Sequence, residues 1–323
     1  MIGVIGEALI DFIAKGTLGP SVPYDSVVGG CALNTAVATS RQDSPVAYVG
    51  KISGDIFGQR MLNHLIESEV LFDPSLCSAP QPSLLAMASL DAEGKANYTF
   101  YTEGTAVASM TKAELLSALQ EHTDLKVVHI GSVALALEPL SEVIISALQS
   151  YEPKPVIFLD PNVRPAVIPD MHVFRSRIEE AMDLASLVKI SDEDLLLLYE
   201  GKDAKKMAQS LAKEKQAHII LTLGKQGSIW YTPEGESVSM EIIDLPVIDT
   251  VGAGDTFSGG LLSYLYERNC FGKDGEIPQL EKLSLDMIKD ALLWATASSA
   301  ITCSRRGCDP PRTEEIRSLL ASL

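Results

Sequence analysis

Basic side chains are scarce in this chain: 26 Lys and Arg face 43 Asp and Glu, a formal net charge of −17 over 323 residues. That balance argues against a nucleic-acid partner, because holding a phosphate backbone takes concentrated positive charge. It leaves room for an anionic small substrate, since a pocket can be locally positive. Long apolar runs are missing as well. No segment reaches the roughly 18 uninterrupted apolar residues that cross a bilayer, so no membrane partner is expected. The start, Met1 to Glu7, carries no basic leader and reads as a first strand, which points to a cytoplasmic protein. Cysteines are few, at 31, 77, 270, 303 and 308, and their spacing is not that of a zinc module. Reduced, mostly buried thiols are expected.

What is present is a core-forming composition, 46% hydrophobic and 21% charged, sized for one large α/β domain over residues 1–323. Short apolar runs alternate with helical patterns. Val127–Ile130, Val156–Leu159, Leu187–Ile190 and Ile219–Thr222 read as strands, with helices predicted at Pro139–Gln149 and Ala204–Lys215. Runs without polar alternation are those of parallel strands covered on both faces. Two stretches differ. Residues 9–28 and 84–103 hold β-prone pieces with little room for a helix, and Leu84–Leu90, Asp91–Gly94 and Asn97–Tyr101 read as a hairpin. They are either an extension of the main sheet or a β lid over the carboxyl ends of its strands. Asn269–Glu281 is polar and Gly-bearing, a surface loop between helices.

The strongest local signal is Asp249-Thr250-Val251-Gly252-Ala253-Gly254-Asp255, a glycine turn after apolar Val247-Ile248 that leads into a helical period at Phe257, Leu261 and Leu265. Glycines at such a helix start let backbone N–H groups converge on an anion. Asp255 brings a carboxylate to the same point. It either favours the helix dipole or accepts the proton of an attacking alcohol. The turn is neither a P-loop nor a dinucleotide fingerprint.

With Asp249–Asp255, with Gly29-Gly30-Cys31-Ala32-Leu33-Asn34, and with Gly50–Gly58 between them, the chain resembles the ribokinase-like (PfkB) carbohydrate kinases, and within them the fructokinases. The resemblance runs from Gly6 to Pro310. It implies a three-layer α/β/α sandwich with a central, mainly parallel sheet and a small β lid, ATP with Mg²⁺ as cosubstrate, Asp255 as base, and an anion hole at Gly252, Ala253 and Gly254. Asp11, Gly29, Gly30, Asn34 and the lid's Tyr101 would meet the sugar. Asp160-Pro161-Asn162-x-Arg164 puts Arg164 near phosphate or sugar oxygens and Asn162 near the hydrated metal. In Lys189-Ile190-Ser191-Asp192-Glu193-Asp194, Lys189 would face the nucleotide, while Asp194 stands where relatives organise Mg²⁺ through water. Thr222, Gly224 and Gly227 would face the nucleotide, as would Ala295–Ile301 and Arg305–Gly307. Some relatives hold K⁺ at the position of Asp249, although Val251 offers no side-chain oxygen here, and both outcomes stay open. So do two readings of the lid, a homodimer joined through it or closure over its own site. Phe100-Tyr101-Thr102 replaces the Phe-Tyr-Arg frequent in fructokinases, which keeps ribose and 2-keto-3-deoxygluconate beside fructose as candidate sugars. A non-catalytic sugar or nucleotide sensor is the alternative from another class.

Overall fold

The computed structural model describes residues 1–16, 21–90, 96–122, 124–201, 203–272, 280 and 283–323. The Asp91–Gly94 turn and most of the 269–281 loop read from the sequence lie outside the described residues. Nine strands form the central sheet, in the spatial order β15 (Ser237–Met240), β14 (Ser228–Tyr231), β13 (His218–Thr222), β12 (Leu187–Ser191), β11 (Val156–Asp160), β10 (Val127–Gly131), β1 (Ile2–Ile5), β4 (Val46–Val49) and β6 (Leu71–Phe72). From β13 to β6 every neighbour is parallel, and β14 and β15 add an antiparallel edge. A short pair, β5 (Ile52–Ser53) with β7 (Cys77–Ala79), stands apart.

Ten helices flank the sheet among the described residues: α1 (Cys31–Arg41), α2 (Ile56–Glu67), α3 (Lys112–Gln120), α4 (Leu140–Ser150), α5 (Met171–Leu184), α6 (Asp192–Leu198), α7 (Ala204–Lys215), α8 (Ala253–Glu267), α9 (Leu285–Cys303) and α10 (Thr313–Leu320). Leu115, Ile144, Ile178 and Leu211 of α3, α4, α5 and α7 pack with Val128, Ile130 and Val188 on one face. Leu33, Leu262 and Leu292 of α1, α8 and α9 pack with Val4, Val127, Phe158 and Leu187 on the other. Alternate residues of each strand thus enter different cores, which is why the apolar runs showed no alternation. Among the described residues no helix is long and apolar enough to cross a membrane.

The lid is a second sheet, in the order β3 (Tyr24–Gly29), β2 (Leu9–Ala14), β8 (Leu84–Leu90), β9 (Ala96–Tyr101). It leaves the main sheet directly after β1, returns at α1, and lays β9 against the turn Pro165–Val167 that follows β11. That puts it at the carboxyl ends of the parallel strands. Asp11 sits within lid strand β2. Val247 and Ile248 form no strand; they are 64% and 60% exposed, in a stretch held to the end of α9 by Ile248 N–H donating to the Cys303 carbonyl at 2.8 Å.

α8 is wedged between α1 and α9, and two consecutive glycines make the room. A Cβ at Gly259 would lie 2.6 Å from the Ala38 Cβ of α1, and one at Gly260 would lie 2.9 Å from Ser298 Oγ of α9. Replacing a helical glycine by alanine ordinarily gains up to about 1 kcal/mol, while forcing a methyl into a filled core costs about 1–3 kcal/mol. Overpacking wins here because the facing atoms belong to a helix backbone and a Cβ, neither of which can swing aside. Gly259→Ala should therefore lower the unfolding free energy in urea, and an unchanged or raised midpoint would contradict this account of the wedge.

Candidate active site

α1 and α8 begin at the same place, each from a glycine that no other residue could replace. Gly30, the N-cap of α1, has φ 106°, and a Cβ there would lie 2.6 Å from the Glu7 carbonyl oxygen. Gly252, the N-cap of α8, has φ 75°, and a Cβ there would run into the Cys308 thiol. Buried Glu7 ties the start of α1 to the turn after β10, accepting from Cys31 N and Ala134 N at 3.1 Å each. Burial pushes its pKa up to about 7, against the pull of those bonds.

Asn34, one turn into α1, donates Nδ2 to Asp255 Oδ2 at 2.8 Å. Asp255 stands in the first turn of α8 and is 8% exposed. Burial raises its pKa, and bonds from Asn34 and the Cys31 thiol together with the Lys189 charge hold it back. A buried carboxylate with a raised pKa and a fixed orientation suits a general base. Beside it, Ala253 N–H bonds the Thr250 carbonyl at 3.2 Å, so it is turned inward. No protein acceptor meets the amides of Gly252, Gly254 or Asp255 among the described residues. Free donors at this turn, among the described residues, are thus Gly252, Gly254 and Asp255, while Ala253 N–H is engaged by the turn itself.

Beneath the turn lies a buried ion pair. Lys189 Nζ meets Asp160 Oδ2 at 2.6 Å, with the side chains 6% and 0% exposed, and Ser258 Oγ of α8 donates to the same oxygen at 3.2 Å. A Cβ at Gly254 would lie 3.5 Å from Lys189 Nζ, so the ammonium sits directly behind the free amides. Burial pulls the Lys189 pKa down, but Asp160 more than offsets it and leaves it raised. Asp194 Oδ1 accepts from Val163 N at 3.0 Å and so anchors the loop bearing Asn162 and Arg164; burial, then the Asp160 charge, raise its pKa. Asn162 is left-handed at φ 42° and hydrogen-bonds the Cys31 thiol. Arg164 is exposed and bonds its neighbour's carbonyl, Val163 O, at 3.2 Å.

Across from Asp255, Asp11 packs against Gly29 at a point where a Cβ would collide with its carboxylate. Burial and the Asp255 charge push its pKa up to about 6, while Arg164 draws it down. The Asp255 and Arg164 charges both act on Asp11, which puts the three residues within electrostatic reach of one another. Tyr101 is not part of this group. Asp11 pairs with Ala86 and Ala86 with Phe100, so two residues on, through Ile13 and Ala88, Tyr98 shares the Asp11 face. Tyr101, opposite Leu85, is on the other face and 56% exposed. Tyr98 and Phe100, stacked on each other, are the aromatic residues of β9 on the Asp11 face; burial raises the Tyr98 pKa, and Asp11 adds to the effect. Register decides this, and register is not legible in one strand.

Asp249 is occupied by the backbone, its oxygens accepting from Val251 N at 3.1 Å and Gly307 N at 2.9 Å, which pins the turn to the Arg305–Gly307 loop. Among the described residues no group of three His, Cys, Asp or Glu could hold a metal ion. Thr222 ends β13 and Gly224 (φ 53°) faces open space, whereas Gly227 is pressed against the Met240 carbonyl and serves the β13–β14 hairpin. Cys31 and Cys308 line the floor beside Asp255 and Gly252, and burial pushes both thiols well up.

Residues 1–315 match the family described as pfkB family carbohydrate kinase, and the chain belongs to that family. It is 34% identical over 273 residues to a fructokinase of Rhizobium leguminosarum bv. trifolii, covering 84% of this chain and 82% of that protein. It is 30% identical over 328 residues to fructokinase-1 of Zea mays, covering 98% and 96%. Its structure superposes on the crystal structure of Xylella fastidiosa fructokinase with bound ATP at a TM-score of 0.88 and 25% identity, covering 99% and 98% of the two chains.

The ion pair generates a test independent of turnover. Lys189→Met strands a buried carboxylate at Asp160, and breaking such a pair from one side costs about 3–5 kcal/mol. Adding Asp160→Asn should restore part of that loss. Urea denaturation of both singles and the double variant measures the coupling; two additive single losses would mean that the pair does not act as a unit.

Proposed function

We propose that this pfkB-family kinase transfers the γ-phosphoryl group of ATP to the terminal hydroxymethyl group of D-fructose. The observation that carries the reading is Asp255, fixed by Asn34 at 2.8 Å in the first turn of α8, beside amides of Gly252 and Gly254 that have no protein acceptor. A base and an anion cradle at one point are what in-line phosphoryl transfer asks of a protein. The fructokinase relatives in bacteria and plants support the choice of sugar.

In this reaction Asp255 accepts the hydroxymethyl proton as that oxygen attacks the γ-phosphorus, and the bond to the ADP oxygen breaks. The free amides receive the charge spread over the transferring oxygens, with Lys189 behind them. Asp11 accepts sugar hydroxyls and fixes the ring, and Arg164, exposed on the loop after β11, offers its donor fork to phosphate or sugar oxygens. Mg²⁺ would travel with the ATP phosphates and neutralise their charge. The carboxylate of Asp194 and the amide of Asn162 are the groups suited to orient its water, since oxygen donors without a cluster of carboxylates fit a hydrated ion rather than a caged one. Asp249, tied up by two amides, makes a monovalent cation dependent on backbone carbonyls.

Asp255→Asn should keep the fold and nucleotide binding and lose about 10²–10⁴-fold in kcat; a folded variant with near-normal kcat would remove the base assignment. With ATP and Mg²⁺, D-fructose should give the highest kcat/KM in a panel with ribose, 2-keto-3-deoxygluconate and nucleosides. Another sugar outrunning it would overturn the fructose assignment alone. ATP turnover that ignores every sugar would favour a sensor.

Asp11 adds a pH signature. Its pKa of about 6 means that it accepts hydroxyls only as it ionises above that value. The sugar KM should therefore rise as pH falls through about 6, and Asp11→Asn should raise KM throughout and flatten that limb. An unchanged limb in the variant would assign the titration elsewhere.

A further inference from the structure

α1 begins without a cap of its own. Gly30 supplies no side chain, no acidic residue stands in the first turn, and every residue from Cys31 to Thr39 is buried. The N–H groups that a helix start leaves over therefore need an acceptor from elsewhere in the chain. Glu7 provides one. It follows β1 and is 1% exposed, and its Oε1 accepts from the N–H of Cys31, the first residue of α1, at 3.1 Å. An anion at that position also suits the helix dipole. Its Oε2 accepts from Ala134 N at 3.1 Å, and the Ser132 hydroxyl bonds the same carboxylate. One side chain thus joins the exit of β1, the start of α1 and the turn Ser132–Leu135 after β10. Packing leaves this junction no slack, since a Cβ at Gly6 would lie 2.8 Å from the Ala32 Cβ.

What the first turn of α1 carries makes the junction matter. Asn34 lies about 4.5 Å along the axis from Cys31, and its Nδ2 meets Asp255 Oδ2 at 2.8 Å. The Cys31 thiol bonds Asp255 as well. Two groups that orient Asp255 therefore sit in the turn that Glu7 holds. Its two backbone N–H partners meet separate oxygens and ask for two acceptors. An ionised carboxylate offers both, protonation weakens one, and a glutamine amide replaces one by a donor. The titratable groups on which the Glu7 charge acts are Cys31 of α1 and Tyr48 of β4, whose hydroxyl donates to the Gly6 carbonyl at 2.9 Å. Burial keeps both protonated, while it brings Glu7 itself up to about 7.

We propose that Glu7 is a positioning residue for phosphoryl transfer: it holds the first turn of α1, and with it Asn34 and Cys31, in the place that aims Asp255 at the substrate hydroxyl. This rests on Asp255 being the base and deepens that reading. Glu7 acts in its ionised form, so the alignment loosens as pH falls through about 7.

Glu7→Gln keeps the size of the side chain and removes one acceptor. At saturating sugar and ATP it should lower kcat by about 10²-fold, the loss that a small misplacement of a reacting group brings, with the fold retained by circular dichroism. Combining it with Asn34→Ala separates positioning from plain stability. The loss in the double variant should fall well short of the product of the two single losses, because both act on Asp255 through one turn. Losses that simply multiply would overturn the proposal, as would near-normal kcat in folded Glu7→Gln. A second measurement needs no substitution at Glu7. In Asp255→Asn protein, where that carboxylate cannot titrate, the side-chain amide NMR resonance of Asn34 should move with a midpoint of about 7. A resonance that stays still through that range would overturn the proposal even if Glu7→Gln failed to fold. Near-normal turnover by Asp255→Asn is a different failure, that of the base assignment itself.

Discussion

One buried ion pair underlies the rest of this site. Lys189 and Asp160, 2.6 Å apart and almost without solvent, stand on neighbouring parallel strands, Asp160 at the end of β11 and Lys189 within β12. A lone ammonium could not stay charged there, since desolvation alone would neutralise it. Asp160 keeps it charged, and Ser258 joins the same carboxylate to α8. The positive charge is therefore held behind the Gly254 amide without being consumed by solvent. In a low-dielectric interior such a charge acts on an incoming anion far more strongly than one at the surface would. Helix α8, the two strands and the glycine turn are thus tied to one electrostatic point.

Carboxylate chemistry around that point is divided by environment. Asp160 is paired with Lys189, Asp249 gives both oxygens to backbone amides, and Asp194 gives one oxygen, Oδ1, to Val163 N. Asp255, Asp11 and Asp194 have raised pKa values because burial, not pairing, dominates them, and in the proposed reaction the first two act on the sugar. The Asp255 charge also raises the cost of ionising Asp11. A net charge of −17 is compatible with a phosphate-binding function because these neighbours are individually compensated.

Close packing does the positioning. Gly30 and Gly252 let two helices start within reach of each other, and Gly259 and Gly260 let α8 sink between α1 and α9. The Asn34–Asp255 bond then closes the angle between α1 and α8. Sulfur fills the remaining floor: Cys31 touches Asp255 and Asn162, and Cys308 fills the space left by the missing Cβ of Gly252. These thiols are small, polarizable fillers with weak donor ability.

The sequence by itself determined the parallel core, because runs such as Val127–Ile130 and Leu187–Ile190 lack alternation only when both faces are covered. It also determined the start of α8 and the carboxylate in its first turn, since glycine spacing and a following helical period are local properties. The lid strands were legible for the same reason. Tertiary structure alone decided what those groups do to one another. Strand register put Tyr98, not Tyr101, on the Asp11 face. A turn bond withdrew Ala253 from the free amides, and packing brought Gly227 against Met240. Asn34 was expected at a sugar hydroxyl, yet its amide meets a carboxylate 221 positions away. Such pairings depend on distance in space, which a one-dimensional pattern does not carry: local propensity fixes each element, and only packing fixes which of their ends meet.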